Sequence, residues 1–442
     1  MAANNHGRSR RGARAGAAAL TLMLAVTAAR GALSVLAEPP DWRVLDDYQG
    51  TLTEGEFRAR VPLFSNDGAL YQWLTVGARG VEVFADRGKT RKLWELRFAN
   101  DNAANNAAAN VAQAILPVFP QYTGKIACAT LGSLKQSKPL KPLAGLKICL
   151  DPGHIGGAWA EMEERHFRIR NGPWVDEATL NLITCEWLER GLREAGAEVC
   201  WTKRTTLPVT ARRPAEFTPQ AIKMLWRSDA KKAARARPAE LLKLVRWYEE
   251  LIFYRVAEIQ ARAAVVEHLR PDLTLCLHYN ALGWGRRGPR LYQNVNRIVI
   301  FTHGSYLARE LEFDDLKFSL FKKLLENSRG AERRVADAIA RQAARMWNYP
   351  PEQYGASALT ATCRPAGKTP YVWSRNLLAN RLYPGPVVFV EGPFMDDALT
   401  YRRLIAGDYD GWREIAGRQY RSIFREYAEV VARGVIEACG GE

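Results

Sequence analysis

The stretch Leu146–Gly157, which reads LKICLDPGHIGG, decides the fold. Its first half is an apolar run of the kind that forms a buried strand. Its second half contains an acid, a rigid Pro-Gly turn and a histidine. Proline and glycine are sufficient for a turn, so the turn alone does not explain His154. The stretch therefore predicts a buried strand whose end presents His154, either as a polar residue that closes the turn or as a ligand.

Strand and helix patterns alternate on the C-terminal side of this stretch. A helical pattern over residues 176–196 leads into the apolar run AEVCW, which gives strand, helix and strand at the spacing of a parallel unit. Three further apolar runs read LTLCLHYNA, NRIVIFTHGS and GPVVFVEGPF, and uninterrupted runs are typical of strands buried on both faces. We therefore expect an α/β fold with an open, mostly parallel sheet and helices on both faces.

Composition divides the chain into segments. Residues 38–113 contain alternating apolar runs and predict a small strand-rich N-terminal domain, and residues 114–145 contain SLKQSKPLKPLAG and predict a linker. The α/β domain spans residues 146–442 and carries a basic, helical insertion at about residues 208–253. The insertion is interpreted as a lid over a cleft, as a surface for anionic polymers, or as a plain solvated excursion.

The N-terminus has the pattern of an export signal. Arginines at positions 8, 10, 11 and 14 precede an apolar run over residues 15–29. About 20 apolar residues are needed to cross a bilayer, so this run is short for an anchor and suits a signal peptide. We predict a signal peptide over residues 1–37, with cleavage after Ala29 and an uncleaved anchor as the alternatives. The mature chain would be periplasmic or secreted, without an integral membrane span.

Composition also bears on the class of partner. With 47% hydrophobic and 25% charged residues over 442 positions, the chain can build a large core and is not a disordered protein. The formal charge of +16 favours an anionic partner, yet the basic residues form no recognisable reading motif, so we predict no nucleic-acid partner. Cys149, Cys200 and Cys276 lie in apolar runs, which predicts buried free thiols and no disulfide framework.

Four titratable residues fall at comparable places in the predicted sheet. His154, His278 and Glu391 each end a strand pattern, and Glu177 opens the first helix. Residues at the carboxyl ends of parallel strands converge in space. Two imidazoles and one carboxylate are a ligand set of catalytic zinc, and a further carboxylate can serve as general base and acid. The alternative is structural: a histidine in a turn, a glutamate stabilised at a helix N-terminus, and an ordinary strand-end acid.

Four blocks of the sequence resemble, in order, the signature blocks of the zinc-dependent N-acetylmuramoyl-L-alanine amidases, which are cell-wall hydrolases with an α/β catalytic domain. These blocks are LKICLDPGHIGG, Glu177 before ATLNL, LCLHYNA and GPVVFVEGPF. The resemblance covers roughly residues 146–436, and its first and third blocks are specific. The chain departs from the usual pattern where Ala178 follows Glu177, where Lys203 interrupts a Thr-Arg pair, and in GPFMDD.

The resemblance implies a role for particular residues. The ligands of one zinc ion per chain would be His154, Glu177 and His278. The catalytic residue would be Glu391. The residues that would support the ligands or orient the substrate are Asp151, Asn280 and His303. His166 and His303 are less favoured competitors for a place among the ligands.

The implied activity is hydrolysis of the amide bond between N-acetylmuramic acid and L-alanine in peptidoglycan. In such an enzyme, water activated by zinc attacks the carbonyl, and Glu391 would act as general base and acid. The implied partner is peptidoglycan, an anionic wall polymer, and a protein activator is a further candidate. The alternatives are a non-catalytic peptidoglycan-binding protein and another zinc-dependent peptidase or amide hydrolase.

Overall fold

The computed structural model describes residues 39–99, 141–281, 292–294, 296–354 and 362–439. The predicted signal peptide over residues 1–37 lies outside these ranges, as does the predicted linker up to residue 140. Within the described ranges, no helix combines the length and the apolar character that a membrane crossing requires. The predicted domain boundaries remain predictions.

The N-terminal part is a small sheet with one helix. Helix α1 is Glu54–Phe64, and an antiparallel sheet follows with strands β1 (Leu74–Gly77), β2 (Gly80–Phe84) and β3 (Lys92–Arg97). Thr53 starts α1 because its Oγ1 accepts from the backbone N–H of Glu56, whose carboxylate accepts from the backbone N–H of Thr53. The apolar residues of this part do not close a core alone: they pack with residues 306–325 of the larger part.

The larger part contains eleven strands among the described residues. The central sheet consists of β4 (Lys147–Pro152), β7 (Glu198–Trp201), β8 (Leu273–Asn280), β9 (Val299–Thr302), β10 (Cys363–Pro365), β11 (Val372–Arg375) and β12 (Val387–Phe394). Two short hairpins are formed by β5 (His166–Phe167) with β6 (Val175–Asp176), and by β13 (Arg413–Ile415) with β14 (Arg418–Tyr420).

The central sheet has the order β10-β11-β9-β12-β8-β4-β7. Strands β7, β4, β8 and β12 are parallel neighbours, so their carboxyl ends lie at one edge of the sheet. Strand β9 is antiparallel to β12 and parallel to β11, and β10 is antiparallel to β11. The prediction of an open, mostly parallel sheet is confirmed, with β9 and β11 running against the other strands.

Helices cover both faces of this sheet, as predicted. The helices are α2 (Glu177–Glu194), α3 (Thr218–Arg235), α4 (Pro238–Ile252), α5 (Glu258–Leu269), α6 (Asp314–Glu326), α7 (Arg329–Trp347), α8 (Leu378–Leu382), α9 (Ala398–Ile405) and α10 (Ile423–Cys439). Apolar side chains of α2, α7 and α10 pack on one face, against Leu150 and Leu275. Side chains of α5 and α8 pack on the other, against Cys149 and Cys276. The six described cysteines are free thiols; Cys149 and Cys276 are buried as predicted, whereas Cys200 is only half-buried.

The predicted insertion is a helical hairpin. Helices α3 and α4 pack on each other, and a π-helical turn, Phe253–Ala257, joins α4 to α5 in one continuous helix. The core of the hairpin includes Ile155, which directly follows His154, and the rings of Trp159 and Phe253 lie 5.1 Å apart. The hairpin is therefore packed against the loop that follows β4.

Candidate metal centre

The turn after β4 is shaped around two histidines. His154 has a backbone φ of 64°, a left-handed conformation that a side chain other than glycine rarely adopts. A Cβ atom on Gly153 would lie 2.3 Å from the ring of His278, so only glycine fits where the turn passes β8. The two imidazole centroids are 4.8 Å apart and nearly perpendicular. Because strain of this kind collects at functional sites, the turn is a structural indication of a site in its own right.

His154, Glu177 and His278 lie together at the carboxyl edge of the sheet. Nε2 of His154 lies 3.4 Å from Oε1 of Glu177, and Nδ1 of His278 lies 3.3 Å from the same oxygen. One donor atom from each residue falls within 4.8 Å of the others, so the three could hold a metal ion. The set contains two imidazoles, one carboxylate and no thiolate, which matches the three-ligand sets of catalytic zinc sites.

Glu177 is the first residue of α2 and is buried. Asp176 caps the helix by accepting a hydrogen bond from the backbone N–H of Thr179 at 3.2 Å, which fixes where α2 begins. Oε1 of Glu177 accepts from the backbone N–H of Tyr279 at 3.2 Å. Burial opposes ionisation, but electrostatic attraction to His154, the hydrogen bond with His278 and the charge of Arg165 outweigh it and lower the pKa of Glu177. The carboxylate is therefore held in its charged form, as a ligand must be.

Glu163 orients the first histidine. Its Oε2 lies 3.0 Å from Nδ1 of His154 and accepts from the backbone N–H of Ile155 at 3.0 Å. A carboxylate on one imidazole nitrogen sets the tautomer and leaves the other nitrogen with a lone pair. Burial raises the pKa of Glu163 and lowers that of His154. The arrangement is that of a neutral imidazole whose Nε2 faces Glu177.

Arg262 of α5 is hydrogen-bonded to the backbone of the turn after β4. It is 1% exposed, and its Nη1 lies 3.0 Å from Oδ1 of Asp151. Nη1 also donates to the carbonyl of Pro152 at 2.9 Å, and Nη2 donates to the carbonyl of His154 at 2.9 Å. Asp151 thus lies behind the turn, where Arg262 links it to the carbonyl groups of Pro152 and His154.

Lys203 is a second cation beneath His154. Its Nζ donates to the carbonyl of His154, next to the bond from Arg262. Burial, together with the charge of Arg262, lowers the pKa of Lys203 to about 7. The residue at which the sequence departs from the usual Thr-Arg pattern is therefore part of the support of the turn.

Glu391 lies on the strand next to His278. The register of β12 on β8 places Glu391 opposite His278, and parallel strands in register project such a pair onto the same face. The ring of Phe389, two residues earlier, stacks on His278 at 4.2 Å. Glu391 keeps part of its surface exposed to solvent. Its burial is the largest cause of a pKa raised to about 7; His278 lowers this pKa and Glu177 raises it. A carboxyl group that titrates near neutrality can take and return a proton.

Three other residues considered in the sequence lie in different surroundings. Asn280 ends β8, two residues after His278 and on its face, and its carbonyl accepts from the backbone N–H of Met395 at 2.7 Å. His166 stacks on the exposed Trp174 at 4.3 Å, in the hairpin of β5 and β6. The structure does not bring His303 to the cluster. Because β9 is antiparallel to β12, the end of β9 that carries His303 lies at the opposite edge of the sheet.

Three of the residues that surround the cluster were not predicted from the sequence: Glu163, Arg165 and Arg262. Glu163 and Arg165 lie in the loop EMEERHF, in which the sequence suggested only His166 as a candidate ligand. The available signal was a glutamate and an arginine in a charged loop between two candidate ligands. Arg262 is one basic residue among many in a long helical region, and no feature of the sequence distinguishes it from the others.

Comparison with known proteins yields matches among solved structures. No protein-family model and no curated protein matches the sequence. N-acetylmuramoyl-L-alanine amidase AmiC2 of Nostoc punctiforme is 12% identical with a TM-score of 0.35, over 67% of this chain and 97% of that chain. The amidase Ami1 from Mycobacterium smegmatis is 13% identical with a TM-score of 0.36, over 68% and 99%. The CwlD amidase from Clostridioides difficile, in complex with the GerS lipoprotein, is 11% identical with a TM-score of 0.34, over 66% and 96%. These values describe a similarity to amidases. A function is therefore inferred from the chain's own residues.

Proposed function

We propose that the chain is a zinc-dependent N-acetylmuramoyl-L-alanine amidase, which hydrolyses the amide bond between N-acetylmuramic acid and L-alanine in peptidoglycan. The observation that carries the proposal is the convergence of His154, Glu177 and His278 within 4.8 Å of one another. Glu391 lies on the neighbouring strand, in register with His278. The four sequence blocks that resemble the amidases contain these same residues.

His154, Glu177 and His278 would hold the zinc ion. Zinc, when bound in such a site, supplies Lewis acidity that polarises a carbonyl and lowers the pKa of water. Glu163 keeps the proton of His154 on Nδ1, so that Nε2 remains available as a ligand. Glu177 supplies a negative charge that its neighbours keep ionised.

Glu391 would move the proton. With a pKa of about 7, a large fraction of the side chain is ionised at neutral pH and can accept a proton from the attacking water. Once protonated, the same carboxyl can donate to the nitrogen of the departing L-alanine. Glu391 and His154 both keep part of their surface exposed, so a substrate approaching the sheet edge can reach the acid–base group and the metal site together.

The cellular setting follows from the same proposal. An enzyme with this substrate acts outside the cytoplasm, in agreement with the predicted signal peptide over residues 1–37 and a periplasmic or secreted location. The formal charge of +16 favours an anionic wall. A protein activator and a wall-docking role for residues 38–113 are further parts of the proposal.

Zinc content and product analysis test the proposal, with purified protein, Glu391→Gln and the exposed control Glu414→Gln. We expect one zinc per chain in all three proteins, and release of uncleaved stem peptides by the wild type and the control. Activity of Glu391→Gln should fall by about 10²- to 10⁴-fold, the usual contribution of a general base. Cleavage within the stem peptides would instead identify a peptidase. Peptidoglycan binding without release by any of the three proteins would identify a binding protein.

A further inference from the structure

A cavity lies at the edge of the sheet opposite the candidate metal centre. Its volume is about 380 Å³, and its walls come from the end of α1, the start of α7 and strands β10 and β11. Three of the lining residues are arginines: Arg329, Arg333 and Arg364. No aspartate or glutamate is among the described residues that line it. We call this cavity the arginine pocket.

Arg329 is the buried member of the three. It is 7% exposed, and its Nη1 donates to Oγ1 of Thr302 at 2.9 Å and to the carbonyl of His303. Among the residues that the structure describes, no carboxylate lies within 4.0 Å of this guanidinium, and its Nε and Nη2 atoms make no hydrogen bond. Burial lowers the pKa of Arg329 to about 10, and the nearby charge of Glu332 raises this pKa without offsetting burial, so a bound anion would further stabilise the guanidinium.

The backbone of α7 adds donors to the same cavity. Helix α7 has 19 residues and begins at Arg329, and Gly330 in its first turn also lines the pocket. Ser328 does not cap the helix, because its hydroxyl donates to the carboxylate of Glu332 at 2.9 Å. The first N–H groups of α7 and the positive end of its dipole are therefore left for another acceptor.

The nearest buried acid is already committed to protein donors. Besides Ser328, Glu332 accepts from the backbone N–H groups of His303 and Val387, each at 3.2 Å. The positive charge in this region is strong enough that Arg329 and two other cations, after burial, lower the pKa of His303. The electrostatic field at this edge is thus positive even with Glu332 present.

We propose that the arginine pocket binds the oxyanion group, phosphate or carboxylate, of a small molecule. Guanidinium groups present parallel N–H donors that match both groups, and helix N-termini bind both. Pro62 and Leu63 form an apolar wall for the remainder of such a molecule. Its occupant would contact residues of the N-terminal part, of α7 and of the central sheet at once, and so would stabilise their association.

Binding of three probes to the full chain tests the proposal: inorganic phosphate, glycerol 3-phosphate and hexanoate, each at constant ionic strength set with NaCl. We expect at least one probe to bind one site per chain in calorimetry and to raise Tm. Binding of the two phosphates alone, or of hexanoate alone, identifies the oxyanion. Arg333→Gln and Arg364→Gln should each weaken binding roughly tenfold, since each removes a charge-assisted hydrogen bond. The matched control Arg227→Gln, on the exposed face of α3, should bind as the wild type does.

Two results would overturn the proposal. The first is the absence of binding by all three probes at millimolar concentrations. The second is equal affinity in the wild type, Arg333→Gln and Arg364→Gln, which would place the anion elsewhere. Arg329→Lys keeps the buried charge but loses the parallel N–H donors of the guanidinium, so it should also weaken binding. Arg333 is exposed, so its substitution tests the pocket without endangering the fold.

Discussion

The Nε atom of Arg165 lies 3.3 Å from Nε2 of His154 and 3.2 Å from Oε2 of Glu177. The guanidinium therefore contacts two of the three residues that would bind zinc, and it uses the lone pair of the imidazole that a metal requires. Arg165 and a divalent cation would compete for the same two atoms. Arg165 is half-buried and belongs to the loop between the first two candidate ligands. Its side chain can therefore move into solvent when a metal ion binds.

Replacing Arg165 should tighten zinc binding. In Arg165→Met, the side chain keeps its length but loses the charge and the donors, so we expect a zinc dissociation constant lower by about tenfold or more. This corresponds to about 1.4 kcal/mol, a fraction of the repulsion between charges at this separation. The measurement is competition with a chromophoric chelator. Arg168→Met, an exposed neighbour that stacks on Trp174, should keep the wild-type value. An unchanged dissociation constant in Arg165→Met would show that the arginine does not compete.

Neutralising Glu163 should have the opposite effect and weaken zinc binding. Glu163→Gln keeps the shape of the side chain but removes the charge beside Nδ1 of His154, which makes Nε2 a weaker ligand. We expect zinc affinity to fall by about tenfold, toward the lower end of the range for such supporting groups. Glu161→Gln in the same loop is exposed and serves as the control in the same chelator assay. Equal affinities in the two variants would mean that the 3.0 Å contact does not orient the ligand.

The sequence predicted His154, His278 and Glu391 because each lies where an apolar run ends, and Glu177 because it opens the first helix. A buried strand must leave the core at its last residue, and polar side chains placed there are visible in the sequence as breaks in the run. The direction of a strand leaves no such mark. NRIVIFTHGS reads the same in either direction of the sheet, and the antiparallel placement of β9 is what separates His303 from the other histidines.

Residues that support the site could not be predicted in the same way. Arg262 reaches the turn only because α5 packs across the face that carries Cys149 and Cys276, and that packing is decided by contacts distant in sequence. The core of the N-terminal part could not be predicted from the sequence either. Its alternating strands were visible, but not that Trp42 and Phe57 pack against Phe321 of α6 to complete its core.

Arg262 should be important for stability as well as for the site. In Arg262→Met, Asp151 and Glu258 lose their cation inside the core, and breaking a buried ion pair in this way costs about 3–5 kcal/mol of unfolding free energy. Urea unfolding measures the loss. The control is Arg237→Met, whose exposed pair with Glu240 is screened by solvent and should contribute little to the free energy of unfolding. Losses of similar size in the two variants would contradict the role of Arg262 as the buried link beneath the turn.

His303 should make the protein less stable in mild acid. Burial is the largest cause of its lowered pKa, and the cations of Lys323, Arg329 and Arg381 lower it further. The folded state therefore keeps the ring neutral while the unfolded chain takes up a proton below about pH 6.5, so this contribution to stability is complete above that pH and is lost as the pH falls. Below pH 6.5 the loss approaches about 1.4 kcal/mol per pH unit.

The slope of stability against pH isolates this histidine from the other titrating groups. Unfolding of the metal-free protein would be followed from pH 7.5 to 5 in the wild type, in His303→Phe and in Tyr306→Phe. His303→Phe removes the titrating ring and should flatten the slope, whatever its stability at pH 7.5. Tyr306→Phe removes only the hydroxyl 3.2 Å from Nε2, so it should lower stability at every pH and keep the wild-type slope. If the slopes of the wild type and His303→Phe coincide, His303 has the same pKa in the folded and the unfolded state, and burial and the three cations around it do not keep the ring neutral.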